Sequence, residues 1–304
     1  MRTKMTRTNN FRGVITALIT PFKNGKIDFV SLRRLVRHQL ENGIAGFVIN
    51  GTTAESPNIS EQEAQKIFQF VKKIVEQRVP LILGTGSNST SATIARTKKA
   101  VTWQADAALV VVPYYNKPPQ RGLIAHFQTV AKAAPKAKII LYNVPGRTVV
   151  NMTAETVVEL SKTKNIVGIK EASGNVAMVP AIRAQAKKQF LLTSGDDATC
   201  IDFMLAGGEG VISVVSHVIP GELVRLTERA RSGDESSRRE YEKYSNLVQL
   251  MGIESNPIPV KMALYMLGLI DSPELRLPLV TLSRESKDEL QNEMTRLSLL
   301  PGVK

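Results

Sequence analysis

Short apolar runs alternate with longer amphipathic segments eight times along the chain. The short runs are rich in β-branched residues and are bounded by turn-forming residues, which is typical of buried parallel strands. The longer segments have the spacing of helices with one apolar face. Strands are predicted at residues 14–20, 46–50, 81–85, 107–113, 138–144, 166–172, 190–194 and 210–215.

Helices are predicted between and after these strands, and Asp28, Ser60 and Thr153 stand where side chains cap a first turn. Alternating strands and helices predict a parallel sheet of the α/β class. Eight such units favour a closed (β/α)8 TIM barrel over an open doubly wound sheet, whose usual Gly-x-Gly-x-x-Gly turn is absent. The predicted helices are 28–42, 60–77, 89–104, 119–134, 153–163, 175–188, 196–206 and 220–231.

Three parts are predicted along the chain. Residues 1–12 are basic and polar and are interpreted as an N-terminal tail, and residues 13–232 form the catalytic barrel. The strand pattern stops after Arg231, and Ser232, Gly233 and Asp234 indicate a break. Residues 233–304 are therefore predicted to form a C-terminal helical domain, with helices at 235–251, 257–269 and 282–299.

Composition narrows the function classes. The single cysteine, Cys200, excludes an intrachain disulfide framework, and three scattered histidines lack metal-ligand spacing. No apolar stretch approaches the roughly 20 residues that span a membrane, and no secretory signal is recognisable. These observations predict a cytoplasmic protein with no metal, cofactor or membrane partner.

The formal net charge of +13 raises the possibility of a nucleic-acid partner. Lysines and arginines are spread singly over helical segments beside glutamates, and no nucleic-acid-binding motif is found. No nucleic-acid partner is therefore predicted, and a basic nucleic-acid-binding protein built on an inactive barrel is kept as the non-enzyme alternative.

Lys170 lies where periodicity predicts a buried strand, in the run from Ile166 to Ser173. A buried ammonium must be paired, reach solvent or lose its proton. The neutral amine is the form that attacks a carbonyl to make a Schiff base. The alternative is a lysine at a strand end that extends to solvent or pairs with Glu171.

The ends of other strands carry groups that suit the same chemistry. The turn containing Thr52 and Thr53 is rich in hydroxyls and N–H groups that can hold a carboxylate. Tyr115 follows the fourth predicted strand. Tyr142 lies near the end of the fifth, and Arg147 comes shortly after it. These residues offer phenols for proton transfer and a guanidinium that can grip a second carboxylate in a fork. Together the set suits a Schiff-base aldolase or lyase acting on 2-oxo acids.

The same stretches resemble the motif series of the dihydrodipicolinate synthase family, in the pyruvate-dependent class I aldolase and N-acetylneuraminate lyase superfamily. The resemblance covers nearly the whole chain and implies condensation of pyruvate with L-aspartate 4-semialdehyde in lysine (diaminopimelate) biosynthesis. The stretches that carry it are 51–56, 114–116, 142–148, 168–172, 194–197, 210–214 and 256–261.

The resemblance also implies roles for the reacting groups. Lys170 would form the Schiff base with pyruvate. Tyr142 would relay protons, with Thr53 and a Tyr115 from a neighbouring subunit completing the relay. Members of the family are commonly homotetramers built from two tight dimers, so a homotetramer is expected.

Substrate binding is implied at a second set of residues. Thr52 and Thr53 would hold the pyruvate carboxylate, Arg147 would guide the carboxylate of the aldehyde substrate, and Ile212 would contact substrate. Two departures from the family pattern are present. Ala54 replaces a usual glycine, so the backbone of that turn must suit a residue with a Cβ, and His217 stands where the family often has asparagine, which bears on substrate range. The nearest alternative is a related Schiff-base enzyme, such as N-acetylneuraminate lyase or an aldolase of 2-keto-3-deoxy sugar acids or hydroxy-oxo acids.

A regulatory site for lysine is found between subunits in sensitive family members. The resemblance places that pocket around Glu61, Asn88 and Tyr114. Ala92 occupies the position where sensitive enzymes usually have a glutamate, so no carboxylate is supplied there for the ammonium groups of lysine. The site is interpreted as vestigial, and weak or absent inhibition by lysine is expected.

Overall fold

Eight parallel strands form a closed barrel in the computed structural model, which describes residues 11–300. The barrel strands are β1 (Gly13–Ala17), β4 (Gly46–Ile49), β5 (Leu81–Gly84), β6 (Ala107–Val111), β7 (Ile139–Asn143), β8 (Ile166–Glu171), β9 (Leu191–Ser194) and β10 (Gly210–Ser213), while β2 (Phe22–Lys23) and β3 (Lys26–Ile27) pair in a separate hairpin. Strand β1 pairs with both β4 and β10, which closes the ring. The predicted TIM barrel is confirmed.

The observed strands stop earlier than several of the predicted runs. Strand β1 ends at Ala17 rather than at residue 20, and β6 ends at Val111 rather than at residue 113. The apolar pattern continues there because the next residues, such as Leu18 and Val112, remain buried after the ladder ends. Burial alone therefore overestimates the length of a strand.

Helices lie between and after the barrel strands. They are α1 (Phe29–Glu41), α2 (Glu61–Val75), α3 (Thr90–Thr102), α4 (Gln120–Ala133), α5 (Pro145–Thr148), α6 (Ala154–Ser161), α7 (Met178–Arg183), α8 (Cys200–Leu205), α9 (Pro220–Arg231), α10 (Ser236–Glu242), α11 (Ser245–Leu250), α12 (Ile258–Met266) and α13 (Arg284–Arg296). The predicted caps Asp28, Ser60 and Thr153 each accept a hydrogen bond from a first-turn N–H. Ser60 also forms a complete capping box with Glu63.

Three predicted helices differ from the structure. The segment 235–251 is two helices, α10 and α11, because a bond from Tyr244 N to Tyr241 O tightens the turn between them. The segment 175–188 is helical only over α7. The segment 196–206 begins its helix at Cys200, because the Asp196 side chain closes a turn by accepting hydrogen bonds from Thr199.

The core has two layers separated by the strand ladder. Side chains such as Ile15, Val48, Ile82 and Ile140 fill the inside of the barrel. A larger cluster lies between the outer strand faces and the helices, and it continues into the helices that follow residue 232. In that last region α10 packs on α8 and α9, and α12 packs on α13.

The predicted tail boundary needs a correction. Residues 1–10 lie outside the described residues, but Phe11 is buried inside the barrel with 6% of its surface exposed. Arg12 forms an ion pair with Glu209 at 2.8 Å, next to the start of β10. Phe11 therefore contributes to the interior of the barrel, and Arg12 contacts the residue that precedes β10, although both residues fall within the predicted tail.

Two further features of residues 11–300 bear on function. No helix in this range combines the length and the apolar character that crossing a bilayer requires. The same range holds no group of three or more His, Cys, Asp or Glu side chains arranged to bind a metal ion.

Candidate active site

Lys170 is buried on strand β8, with 6% of its surface exposed. Parallel pairing places Tyr142 of β7 on one side of it and Thr193 of β9 on the other. The ammonium nitrogen lies 4.4 Å from the centre of the Tyr142 ring, and that tyrosine is 7% exposed. The structure therefore brings the predicted nucleophile and the predicted proton relay together.

Glu171 does not pair with Lys170, which corrects the alternative kept from the sequence. Its carboxylate accepts hydrogen bonds from Asn143 Nδ2 at 2.9 Å and Ser173 N at 2.7 Å, and burial raises its pKa. Asn143 Oδ1 accepts from Met152 N at 2.9 Å, so this network ties the end of β8 to the chain after α5. Within residues 11–300, no carboxylate forms an ion pair with the Lys170 ammonium.

Gly195 provides the space that the Lys170 side chain occupies. A Cβ built on Gly195 would lie 2.5 Å from Lys170 Cε, 2.7 Å from Lys170 Cγ and 2.8 Å from Ala172 Cβ. These distances are far below ordinary van der Waals contact, so any larger residue would displace the lysine. In the sequence, residues 194–197 carry part of the resemblance, but no role was predicted for Gly195 itself, so this role of the glycine was missed.

The turn after β4 is a short 3-10 helix, Thr52–Ala54. Thr53 is 3% exposed, and its hydroxyl accepts a hydrogen bond from Asn256 Nδ2 at 2.9 Å. Ala54 is also buried, and the left-handed residue of the turn is Glu55, at φ 59°. Because Ala54 itself keeps a negative φ, the departure from glycine at this position introduces no backbone strain.

Arg147 lies on α5 at the exposed edge of the same region. One guanidinium nitrogen donates to the backbone oxygen of Asn256 at 3.3 Å. Arg147, Thr52, Val144 and Tyr114 line one cavity of about 440 Å³. The arginine predicted to bind the second carboxylate and the turn predicted to bind the first therefore border one space.

Tyr115 and Ile212 occupy opposite environments. Tyr115 is 86% exposed, so its phenol points into solvent in the single chain instead of into the barrel. Ile212 is 1% exposed and belongs to the interior cluster that contains Tyr142. The single chain thus brings Ile212 into the neighbourhood of the site and leaves Tyr115 outside it.

The structure brings only some residues of the predicted effector site together. Glu61 and Tyr114 line the 440 Å³ cavity, and Glu61 forms an ion pair with Lys99. Asn88 is not among the lining residues, and its backbone oxygen accepts from Asn116 Nδ2 at 2.9 Å. Ala92 contributes its backbone N–H to the Ser89 cap of α3.

His217 holds the end of the barrel together instead of facing a ligand. Its Nδ1 donates to Val214 O at 2.8 Å, because a carbonyl can only accept, and its Nε2 accepts from Ile19 N at 3.2 Å. Burial lowers the pKa of His217 to about 4, so the ring stays neutral. This second departure from the family pattern therefore joins the chain after β10 to the chain after β1.

Sequence reasoning assigned no role to Asn256, Glu55 or Lys261, although each lies in a stretch that carries the resemblance. A usable signal was present in α12, which is apolar on nearly every side apart from Lys261. A helix that is apolar all round is buried, and a lysine in it must find a partner. The partner is Glu55, at 2.5 Å.

Comparison with known proteins identifies the family. The model of the Dihydrodipicolinate synthetase family matches residues 10–297. The chain belongs to this family. A 4-hydroxy-tetrahydrodipicolinate synthase from Bdellovibrio bacteriovorus is 49% identical over 292 residues, which cover 96% of this chain and 99% of that protein.

Solved structures of the family agree with the fold. The crystal structure of dihydrodipicolinate synthase from Thermotoga maritima has a TM-score of 0.92 and 43% identity, covering 95% of this chain and 99% of that one. The chloride-inhibited dihydrodipicolinate synthase of Acinetobacter baumannii, complexed with pyruvate, has a TM-score of 0.92 and 38% identity, covering 96% and 100%.

These relatives confirm three sequence-based predictions. The chain has the predicted family and the predicted barrel, and it is a Schiff-base aldolase-type lyase of the 4-hydroxy-tetrahydrodipicolinate synthase type. Lysine biosynthesis through diaminopimelate follows from that activity. The shared family and the near-complete coverage favour the synthase over both alternatives kept from the sequence.

Proposed function

We propose that Lys170 forms an imine with pyruvate and that the resulting enamine condenses with L-aspartate 4-semialdehyde. The observation that supports this most directly is the buried ammonium of Lys170 against the Tyr142 ring, with no carboxylate partner among the described residues. A buried lysine amine that no carboxylate holds can attack a carbonyl to form a Schiff base. The pyruvate complex of the Acinetobacter baumannii relative supports the choice of first substrate.

The proposed steps balance without an added oxidant or reductant. The Lys170 amine attacks C2 of pyruvate, and water leaves as the imine forms. Tyr142 takes a proton from C3, and the enamine carbon then bonds to the aldehyde carbon, whose oxygen receives a proton from Tyr142. Attack of the semialdehyde amine at C2 releases Lys170 and closes a six-membered ring.

The surrounding residues supply binding in this proposal. Thr52 and Thr53 hold the pyruvate carboxylate at the turn after β4, and Arg147 binds the carboxylate of the semialdehyde across the shared cavity. Ile212 provides an apolar wall beside Tyr142.

Assembly completes the proton relay. Tyr115 is 86% exposed, which suits a side chain that enters the site of a neighbouring copy. We therefore include a homotetramer built from two dimers in the proposal.

We also place the enzyme in the cytoplasm, because its single cysteine is free and buried.

Borohydride trapping tests the covalent step. Pyruvate and borohydride should add one irreversible label at Lys170, located by peptide mass spectrometry. Lys170→Ala should abolish the label, while the exposed control Lys243→Ala should keep it. Labelling at another lysine would refute the proposal. Coupled assays with aspartate semialdehyde, run beside N-acetylneuraminate cleavage, separate the synthase from the nearest alternative.

A further inference from the structure

Glu55 is a buried carboxylate directly after the Thr52–Ala54 turn. Its side chain is 0% exposed, and both oxygens are bound by the C-terminal part of the chain. Oε1 accepts from Lys261 Nζ at 2.5 Å, and Oε2 accepts from Arg276 N at 3.0 Å. The carboxylate of Glu55, the residue that ends this turn, is therefore bound by the C-terminal part of the chain and not by the barrel.

Lys261 is enclosed as completely as Glu55. Its ammonium donates to Glu55 and to Glu274 O at 2.9 Å, and it lies 4.2 Å from the centre of the Phe22 ring. The Arg276 guanidinium lies over the same ring, at 4.5 Å. Burial lowers the pKa of Lys261 to about 8 against the opposing effect of Glu55.

A second bond joins the same region to the turn. Asn256, which comes shortly before α12, donates from Nδ2 to Thr53 Oγ1 at 2.9 Å, and its backbone oxygen accepts from Arg147. Helix α12 is buried along most of its length, so Lys261 is carried by a helix enclosed in the core, and Asn256 lies two residues before that helix begins. The turn is thus fixed at Thr53 and at Glu55 from one side.

Stability alone does not explain this arrangement. A buried ion pair is seldom better for folding than apolar side chains of the same volume, because both charges lose their hydration. Its position beneath one functional turn is what distinguishes this pair. A bond that fixes a turn serves binding, because a pre-organised site loses less freedom when its ligand arrives.

We infer that Lys261 is a positioning residue, which acts through Glu55 to hold the Thr52–Ala54 turn in the geometry that binds the pyruvate carboxylate. The inference rests on the proposed assignment of that carboxylate to Thr52 and Thr53. It extends the site into the C-terminal helical region, to a lysine that does not touch substrate.

The decisive variant removes both charges. Glu55→Gln combined with Lys261→Met leaves no unpaired buried charge, so the protein should fold with a thermal midpoint close to that of the wild type. KM for pyruvate should rise on the order of tenfold, because one hydrogen bond to a charged group corresponds to a change of about that size. KM for the semialdehyde should change less than about twofold, because Arg147 stays in place.

Two further variants make the test specific. Glu293→Gln removes a buried carboxylate from its Arg296 ion pair on α13, away from the turn, and should leave KM for pyruvate unchanged. Thr52→Val tests the carboxylate site itself and should raise KM for pyruvate. Lys261→Met alone leaves the buried Glu55 carboxylate without its charge partner. This single variant should raise KM for pyruvate further than the double variant does.

The outcomes separate the two hypotheses. If Thr52→Val raises KM for pyruvate and the double variant does not, the positioning role of Lys261 is wrong and the carboxylate site stands. If Thr52→Val has no effect, the proposed carboxylate site is wrong and the inference is overturned with it. A rise in KM for pyruvate in Glu293→Gln equal to that of the double variant would also overturn the inference, because it would show a general effect of disturbing the helical region.

Discussion

Replacing Gly195 with alanine tests whether the space beside Lys170 sets the position of this proposed nucleophile. The added Cβ would lie 2.5 Å from Lys170 Cε, where ordinary contact begins at 3.4 Å. The lysine must therefore move by about 1 Å, and misplacement of a reacting group on that scale can cost about 10²-fold in rate. That factor corresponds to about 2.7 kcal/mol in the activation barrier.

The expected signature is a loss of chemistry per folded molecule that exceeds the loss of folded protein. The nearest atom, Lys170 Cε at 2.5 Å, lies near the end of a flexible side chain, whereas Ala172 Cβ, at 2.8 Å, can move only together with its backbone. The lysine should therefore be displaced, and a smaller backbone shift at Ala172 should cost some stability. Gly168→Ala makes a useful contrast, because its Cβ would lie 2.6 Å from Leu191 Cβ and 2.7 Å from Leu191 O. That variant should lose stability.

The assay is the single-turnover rate of imine formation with pyruvate, measured by borohydride quenching, together with kcat/KM and the thermal midpoint. Gly252→Ala is the matched control, because its Cβ would meet only Gln249 O, at an ordinary 3.5 Å. A Gly195→Ala enzyme that forms the imine at the wild-type rate would refute the reasoning. So would a variant that loses activity only in proportion to lost folded protein.

Other groups in and around the site can be tested in the same way. Arg147→Ala should reduce condensation far more than borohydride trapping of pyruvate, and equal losses would place the arginine earlier in the reaction. Mixing Tyr115→Phe chains with Lys170→Ala chains should restore some activity in hybrid dimers, and no rescue in verified hybrids would place Tyr115 outside a shared site. Burial lowers the pKa of His217 to about 4, so between about pH 6.5 and pH 4 the unfolded chain binds a proton that the folded chain does not, and stability falls as the pH falls through that window. Urea unfolding at pH 7 and pH 4.5 should show a fall in stability that is smaller in His217→Asn by up to about 3 kcal/mol, and equal falls would contradict the assigned protonation state. Lysine should inhibit weakly in a steady-state titration, because Ala92 offers no carboxylate, whereas strong inhibition at submillimolar concentration would show that a carboxylate comes from elsewhere.

The barrel and the centre of its site could be predicted because they follow from local patterns. The two-residue period of a strand places Lys170 on β8, and the strand–helix alternation makes β7 and β8 neighbours. The parallel register then sets Tyr142 directly beside Lys170. The first two steps need only residues that are close in sequence or related by a simple topology rule, whereas the register is an observation from the structure.

The supports of the site could not be predicted in the same way. The Thr53–Asn256 and Glu55–Lys261 bonds join residues 203 and 206 positions apart, and no periodicity relates them. The space at Gly195 depends on where one side chain from a neighbouring strand comes to lie. Such contacts are set by tertiary packing, so the sequence reports the residue types without their partners.

The anchoring of the Thr52–Ala54 turn by the last part of the chain has a consequence for synthesis on the ribosome. Lys261 follows Glu55 by 206 residues, so about 10–40 s of translation separate them at ordinary elongation rates. All eight barrel strands are made before Asn256 and Lys261 emerge. During synthesis the turn therefore lacks both anchors until the last helices are made. If Lys261 has the positioning role proposed above, the geometry that binds the pyruvate carboxylate forms only when those helices dock.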